Sequence, residues 1–381
     1  MPSPRINVLV AGSAVDPGIV ALLDRAEVRE SDADPSVLAL RFRLTQRPDG
    51  EFGPLDDDVF EPGVALSFEL EAPGGLMQRL FDGYLTHVRP HFETIESNCY
   101  VEVLAMDAAV LLDAEERVVA WPNMKDSDVV AEVLSGYQIA ADVQDTPVLF
   151  DEDRQLLVQR ASDWRFLSHL ARRNGARLYF EYDANRQEVV GHFAPPDLTA
   201  TPQPDLALLQ DGSSLNWADV QLVATGPVTW TASALDPIGK RIVRGEGTPA
   251  LVVGGADDVS AAIEQGLTDA GAQASMGFVR DPFPLDGALG AAATAATDEA
   301  RLAIELLAEL DPALYRGLVR ARRPVLVRGI GRRFSGVYYV RSVRTTVDQG
   351  TLLQLIVAVR NATGQSGDES FGQSAEEVPA E

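Results

Sequence analysis

The chain has 381 residues, of which 46% are hydrophobic and 23% charged, so it can bury the cores of about two to four folded domains. Its 32 basic and 57 acidic residues give a formal net charge of −25, which argues against nucleic acid as a ligand because phosphate binding needs a basic face. The single cysteine, Cys99, excludes an intrachain disulfide, and the sequence predicts neither a cleaved signal peptide nor a membrane-spanning segment.

The first third of the sequence shows the alternation of apolar and polar residues that is typical of half-buried β-strands. The alternation occurs in Val37–Leu44, Val64–Leu70 and Tyr100–Met106. Combinations of proline and glycine, which favour turns, separate these stretches. The pattern predicts a β-barrel or a β-sandwich.

The middle of the sequence changes to the spacing of amphipathic helices. One helix is predicted over Asp126–Gly136, with its valines on one side. A second helix begins after Ser162, a candidate N-cap, and ends at Gly175, which suits a left-handed C-cap. Arg177–Tyr182 then alternates as a strand does, so this region is predicted to mix helix and sheet.

The remaining sequence gives a less regular pattern, and residues 240–290 do not indicate a fold. The predicted elements are a connector over Pro195–Asp211, a β segment over Asp219–Ala232, helices over Asp257–Ala270 and Thr297–Leu310, and a disordered acidic tail over Gly364–Glu381.

A short internal similarity indicates a duplicated β unit. Phe81-Asp82-Gly83 recurs as Phe334-Ser335-Gly336, and Ala105 recurs as Ala358, both 253 residues further along the chain. Leu80–Ala109 therefore aligns with Arg333–Ala362 without a gap, and Phe81, Gly83, Phe334 and Gly336 mark the repeated motif. The alternative is two unrelated hairpins whose glycines permit a bulge or a close approach of the backbone.

The four histidines offer little material for a metal or catalytic site. The closest pair, His87 and His91, would lie about 13 Å apart on an extended segment, which is too far to share one metal ion. His169 with Asp163 could activate a nucleophile, but the sequence has no G-x-S-x-G motif, and a helix first-turn acid is the simpler interpretation of Asp163.

The acidic and glycine-rich runs also lack the spacing that chemistry requires. Asp56–Asp58 lacks the spaced ligands of a calcium loop, and Arg328–Gly331 is not followed by the lysine and hydroxyl of a phosphate loop. Arg320, Arg322 and Arg323 form a short basic cluster that could contact another protein. We therefore predict no enzymatic activity, no catalytic residue, no metal site and no cofactor.

Three segments resemble the phage late control D family of tail hub proteins, which is related to the hub part of type VI secretion spikes. They are Phe81–Asp107, Ala161–Phe180 and Gly329–Asn361. The resemblance covers the chain from about residue 1 to 363, apart from a middle segment near 240–290. The order of the three segments carries more weight than any one of them.

The central segment resembles the most recognisable stretch of that family. Asp163, Trp164, Phe166, Leu167 and Gly175 stand where the family motif places them. The resemblance implies that these residues pack an insertion domain, and the family offers no catalytic residue to transfer to this sequence.

The resemblance also implies a fold, which is α+β and β-rich, with two tube-protein-like β-barrels per chain and inserted α+β domains. Three chains would then present six barrels and adapt a three-fold spike to a six-fold tube. The expected division is a first tube-like barrel over residues 1–110, an α+β insertion over 111–200, a second tube-like barrel over 201–240 and 312–363, a helical or irregular insertion over 241–311, and the acidic tail over 364–381.

The implied function is that of a structural baseplate hub in a contractile, phage-tail-like injection system. Its expected partners are two further copies in a homotrimer, a separate spike protein, the inner tube protein ring and other baseplate proteins. Assembly is expected in the cytoplasm and residence in the baseplate of the particle. The alternatives are a tail-associated cell-wall hydrolase and a tube-initiator protein. The sequence does not indicate the class of particle, its cargo, or the residues that contact spike and tube.

Overall fold

A computed structural model describes residues 3–57, 59–153, 155–209, 212–236, 239–272, 276–279 and 286–365. Most of the predicted acidic tail, residues 366–381, lies outside the described residues.

Secondary structure follows the chain in three parts. The first contains β1 (Ile6–Val10), β2 (Ser13–Ala14), α1 (Pro17–Val20), β3 (Leu23–Ser31), β4 (Val37–Arg43), β5 (Thr45–Gln46), β6 (Phe52–Gly53), β7 (Ala65–Glu71), β8 (Met77–His91), a 3-10 turn (Glu96–Asn98), β9 (Tyr100–Met106) and α2 (Ala109–Leu112). The second contains β10 (Glu116–Trp121), β11 (Met124–Lys125), α3 (Asp126–Gly136), β12 (Ala140–Val143), β13 (Leu149–Phe150), β14 (Leu157–Ser162), α4 (Asp163–Arg173), β15 (Arg177–Asp183) and β16 (Glu188–Ala194). The third contains β17 (Gln203–Ala207), β18 (Leu215–Leu222), β19 (Thr229–Asp236), β20 (Arg241–Glu246), β21 (Asp257–Asp258), α5 (Val259–Asp269), β22 (Met276–Val279), α6 (Asp286–Arg301), β23 (Ile304–Leu310), β24 (Pro324–Arg328), β25 (Gly336–Asp348), β26 (Thr351–Arg360) and β27 (Ala362–Thr363).

One large sheet runs through the molecule and contains two similar sets of strands. Unit one has the spatial order β3-β4-β9-β8-β7, and unit two has the order β18-β23-β26-β25-β24. Neighbours within each set are antiparallel, and the five strands of each set also follow one another along the chain in the same sequence. Strand β1 extends unit one beyond β7 in antiparallel pairing, whereas β17 extends unit two beyond β24 in parallel pairing. The strand order therefore supports a duplication.

Irregularities of pairing fall at matching places in the two units. The register of β3 on β4 shifts between Leu23 and Arg25, and that of β18 on β23 shifts 192 residues later, between Leu215 and Trp217. Because a bulge displaces side chains and twist in one place, two unrelated sheets rarely share its position.

The second shared irregularity corrects the gapless alignment of the sequence repeat. Both β8 and β25 carry a register shift against the strand that follows, opposite Ala105 and Ala358 respectively. The strands after the turn match at 253 residues, as predicted, but the strands before it match at 255. The turn differs in length, because residues 92–99 join β8 to β9 whereas Gln349 and Gly350 alone join β25 to β26. Phe81 therefore corresponds to Gly336, not to Phe334.

Each unit curls around its own hydrophobic core. In unit one, Val8 on β1 and Val28 on β3 belong to the same core although they lie on strands far apart in the sheet. In unit two, Leu206 on β17 and Leu215 on β18 likewise share one core. The alternation predicted for Val37–Leu44 buries every second side chain of β4, as a curled one-sided sheet requires. The predicted β-rich α+β class is confirmed.

The segment between the units folds as predicted from its helical spacing. Helix α3 begins and ends at the predicted residues, and Ser162 Oγ accepts a hydrogen bond of 3.4 Å from Arg165 N at the start of α4. Gly175 follows α4 with a positive φ of 68°, which only glycine adopts freely. The two helices pack on the sheet β12-β16-β15 and form a third core.

The predictions for the last third were wrong in two places. Thr297–Leu310 is not one helix, because α6 ends at Arg301 and Ile304–Leu310 is a strand of unit two. The sequence there fits both periods, and burial of alternate residues in the sheet decides the outcome. Asp219–Ala232 is not one β segment either, since it divides between β18 in the large sheet and β19, which joins β20 and β22 beneath α6.

Gly83 tests the close approach of β8 to β9. A Cβ at this position would overlap with the backbone carbonyl oxygen of Met106 and would lie 2.7 Å from the ring of Phe81. We expect Gly83→Ala to lower the free energy of unfolding by about 2 kcal/mol, measured by urea denaturation, because backbone has to move.

Gly266→Ala is the matched control, since nothing lies within 4 Å of its Cβ position on α5. It should raise stability by about 0.5–1 kcal/mol, as alanine does in a helix. Equal stability of the two variants would contradict the packing described for Gly83.

Candidate assembly surface

The two units meet along one long strand, β25. Its first residues, Gly336–Tyr339, pair with β24, and its last residues, Ser342–Asp348, pair with β3 of unit one. Asp32 N donates to Arg341 O at 2.9 Å, and Gln349 N donates to Asp24 O at 3.0 Å, which extends the ladder at both ends. Backbone hydrogen bonds thus continue the sheet from one unit into the other.

The face of unit one that points away from its core carries arginines around two carboxylates. Glu27 lies within 2.8 Å of Arg25, 2.5 Å of Arg29 and 3.9 Å of Arg344. Burial alone would raise the pKa of Glu27, but hydrogen bonds from Arg25 and Arg29 outweigh it and lower that pKa. Three guanidinium groups therefore share one ionised carboxylate.

The second carboxylate on this face, Glu102, is shared in the same way. It lies 3.2 Å from Arg89 and 3.9 Å from Arg41. A groove of about 510 Å³ runs over these side chains. Because each carboxylate faces more than one arginine, the surface has an excess of positive charge in a chain whose net charge is −25.

The corresponding face of unit two has the opposite character. Asp219, Glu305 and Glu309 project from β18 and β23, beside the apolar Leu307 and Leu355. The two units thus share a backbone arrangement but present different chemistry on the equivalent surface.

A buried ionic cluster ties unit one, unit two and the segment between them together. Arg320, in the loop between β23 and β24, donates to Glu30 on β3 at 2.8 Å and to Arg79 O on β8 at 3.2 Å. It also lies 3.4 Å from Glu181 on β15, which Arg323 contacts at 2.7 Å. Burial alone would raise the pKa of Glu181, but Arg320 and Arg323 lower it to about 2. The predicted basic cluster is thus used within the chain, at the junction of its three parts.

Arg322 makes the neighbouring set of contacts. Its guanidinium donates to Ser31 O at 2.9 Å and to Ser36 Oγ at 2.7 Å, and it stacks 4.5 Å above the ring of Tyr179. Next to it, Asp107 accepts hydrogen bonds from Ser36 N at 2.6 Å and Ala109 N at 3.0 Å. Burial raises the pKa of Asp107 to about 6, against the effect of those hydrogen bonds.

Asp163 has a larger structural role than a helix first-turn acid. Its side chain is 1% exposed and accepts hydrogen bonds from Gln159 Nε2 at 2.6 Å and from Tyr137 Oη at 2.7 Å. Arg117 lies 3.3 Å away. Burial and the bond to Asp163 raise the pKa of Tyr137 to about 12. The sequence gave no sign of this network, because its members lie on β10, α3 and β14 and come together only in the fold.

The other motif residues of α4 lie in or beside the third core. Phe166 and Leu167 are buried, and Trp164 packs with its ring centre 6.3 Å from that of Phe180. Gly175 faces α6, where its Cβ position lies 3.3 Å from the Cβ of Ala295. That contact brings the two inserted segments together.

The glycines of the repeated motif have different roles in the two units. Gly83 permits the close approach of β8 to β9, whereas Gly336 makes room for the guanidinium group of Arg360. Phe81 is buried in the core of unit one. Phe334 is half-buried beside the core of unit two, and its carbonyl oxygen accepts from Tyr338 Oη at 2.7 Å.

The histidines lie on separate elements or along one strand. His87 and His91 are on β8, His169 is on α4 and His192 is on β16. Across residues 3–365, in the positions that the structure describes, no group of three His, Cys, Asp or Glu side chains could hold a metal ion. No helix among those positions is long and apolar enough to cross a membrane.

The fold is similar to that of phage tail proteins over nearly the whole chain. The 43 kDa tail protein of prophage MuSo2 from Shewanella oneidensis is 14% identical, with a TM-score of 0.63, over 95% of this chain and 100% of that one. The tail protein from Neisseria meningitidis MC58 is 12% identical, with a TM-score of 0.63, over 94% of this chain and 97% of that one. The E. coli c3393 protein, a type VI secretion component similar in structure to the T4 tail proteins gp27 and gp5, is 13% identical, with a TM-score of 0.53, over 94% of this chain and 76% of that one. At these identities the similarity shows the fold.

The sequence comparisons are less informative. The family model of the Alg8 N-terminal domain matches residues 44–231, slightly less than half of the chain. The match begins just after β4 and ends within β19, so it does not follow the units of the fold. No curated protein matches the sequence.

The ionic junction can be tested with Arg320→Met. The variant keeps much of the apolar stem but leaves the carboxylate of Glu30, which is 2% exposed, without this partner. We expect a loss of about 3 kcal/mol in the free energy of unfolding by urea, because an uncompensated buried charge is costly. Arg332→Met, at an exposed position, is the control and should change stability by less than about 0.5 kcal/mol. Equal losses would show that the junction does not depend on Arg320.

Asp107 predicts a pH dependence of stability. The pKa of its carboxyl group is near 6 in the folded chain and near 3.8 in the unfolded one, so the native state binds the proton more tightly. Its contribution is therefore present at low pH and is lost as the pH rises through about 6. Asp107→Asn lacks this loss, so its stability relative to wild type should improve by about 1 kcal/mol between about pH 5 and about pH 7.5. Urea denaturation at both values measures the difference, and parallel pH profiles would contradict it.

Proposed function

We propose that this protein is the structural baseplate hub of a contractile, phage-tail-like injection system. The observation that carries the proposal is the pair of matched units within one continuous sheet. The similarity of fold to tail proteins over 94–95% of the chain supports it.

The duplication has a simple geometric use in such a particle. Closed protein rings need equivalent contacts around an axis, and three chains with two matched units each offer six similar units. A trimer of this chain would therefore contact a three-fold spike through its whole-chain symmetry and a six-fold inner tube through its units. A separate spike protein, the inner tube ring and other baseplate proteins are the partners of this role, and assembly takes place in the cytoplasm before residence in the baseplate.

The proposal places the chain in the late control D family and gives its motif residues a packing role. Asp163, Trp164, Phe166, Leu167 and Gly175 hold α4 within the inserted segment and against α6. The role is structural, not enzymatic. The division of the chain follows the predicted one, with the second inserted segment ending before β23, since β23 pairs inside unit two.

The solution mass and shape of the purified full chain test this function. We expect the mass of three chains by light scattering, and electron-microscopy averages with three-fold symmetry and six peripheral lobes. Removing the gene should leave particles without tubes attached to spikes, and supplying it should restore them. A stable dimer, or particles that assemble normally without the chain, would contradict the hub role. Clearing of a peptidoglycan gel would favour the hydrolase alternative instead.

A further inference from the structure

Two strand edges are open in the part of the chain that the structure describes. Strand β8 pairs with β7 as far as Tyr84, and from Leu85 to His91 it pairs only with β9. Strand β18 pairs only with β23. Open edges present unpaired backbone groups to other chains, so each is a possible site of strand pairing.

The chain itself shows how these two edges can be used. By the matched positions of the units, the open half of β8 corresponds to the half of β25 that pairs with β3, and β18 corresponds to β3. We propose that β8 of one copy pairs with β18 of a second copy, antiparallel, as β25 pairs with β3 inside the chain. This inference rests on the proposed function, and it identifies the contact between copies.

The internal junction also fixes the register between copies. In β25, Arg344 stands opposite Arg29 on β3, and the matched positions place Arg89 of one copy opposite Gln221 of the next. Val88 then stands opposite Leu222, and His91 opposite Asp219. The spacing of 255 residues between β8 and β25, and of 192 between β3 and β18, gives one register only.

Backbone directions agree with this register. Val223 N donates to Ala303 O on β23 at 2.8 Å, so the alternate residues Val220 and Leu222 direct their backbone groups to the open edge. On β8, Val88 and Pro90 correspond to residues of β25 whose backbone groups face β3. Pro90 lacks an N–H, so at that pair its carbonyl oxygen accepts from Val220 N without a return bond.

The side chains at the two edges are complementary in charge. The edge of β8 carries Arg89, which is 64% exposed, together with His91. The edge of β18 carries Asp219, with Glu305 and Glu309 on the next strand. The basic face of unit one would therefore border the acidic face of unit two in the next copy.

Large apolar side chains are exposed at the same two edges. Phe92 and Ile95, just beyond β8, are 51% and 61% exposed, and Trp217 and Val223 on β18 are 39% and 43% exposed. The register places Phe92 opposite Ala218, next to Trp217. Aromatic side chains of this kind are enriched at the centres of protein interfaces. The contact is head-to-tail, and it closes a ring of three copies in which internal and intermolecular junctions alternate.

Disulfide trapping tests the register directly. The full chain would carry Arg89→Cys and Gln221→Cys with Cys99→Ser, because these facing residues form a pair without mutual backbone bonds, whose spacing suits a disulfide. After mild oxidation, we expect non-reducing gels to show covalent dimers and trimers and no longer species. The matched control combines Arg89→Cys with Leu235→Cys, an exposed residue on β19, and should give no ladder.

Two separately purified chains, one with Arg89→Cys and one with Gln221→Cys, provide the second measurement if the double variant does not fold. Mixed and oxidised, they should give one mixed dimer. A trimeric mass without crosslinking would refute the edge pairing and leave the hub proposal standing. A ladder that continues past three would support the edge pairing and refute the closed ring, and with it the hub.

Discussion

The pairing of β25 with β3 is the contact on which the rest of the architecture depends. It joins residues 25–31 to residues 342–348, almost the full length of the chain apart, and makes one sheet of two units. Without it, the units would be connected only through the inserted segment between β9 and β17. Because the partner strands are so distant in sequence, this part of the ladder can form only late in folding, after both units have acquired much of their own structure.

The ionic cluster around Arg320 adds what the sheet alone does not supply. A twisted sheet allows neighbouring sets of strands to change their relative orientation with little loss of hydrogen bonding. Arg320, Arg322 and Arg323 come from one loop of unit two and reach both unit one and β15, so they set the angle among three parts of the chain at once. Buried ion pairs add little net stability, but their geometry is demanding, which suits a junction that has to be rigid.

The sequence predicts local structure well and distant pairing poorly. Alternation and capping identify β4, β9 and α4 because those signals lie within a few residues, as Ser162 and Gly175 show. The helix predicted over Thr297–Leu310 was wrong because its apolar residues fit two periods, and only β18 and β26 on either side decide for a strand. The repeat was found from two short matches, but its offset on the first strand was wrong by two residues, because the turn lengths differ. The Asp163 network and the open edges were not predicted, since both depend on which strands become neighbours.

The different surfaces of the two units have a consequence for symmetry. Because both units are encoded in one polypeptide, a substitution in one is not copied into the other, and Arg41 on β4 corresponds to Glu309 on β23 although the backbones match. In the proposed assembly, such divergence would give six positions of similar shape but two alternating chemistries. A ligand or subunit that senses only shape would meet six equivalent seats, whereas one that senses charge would meet three.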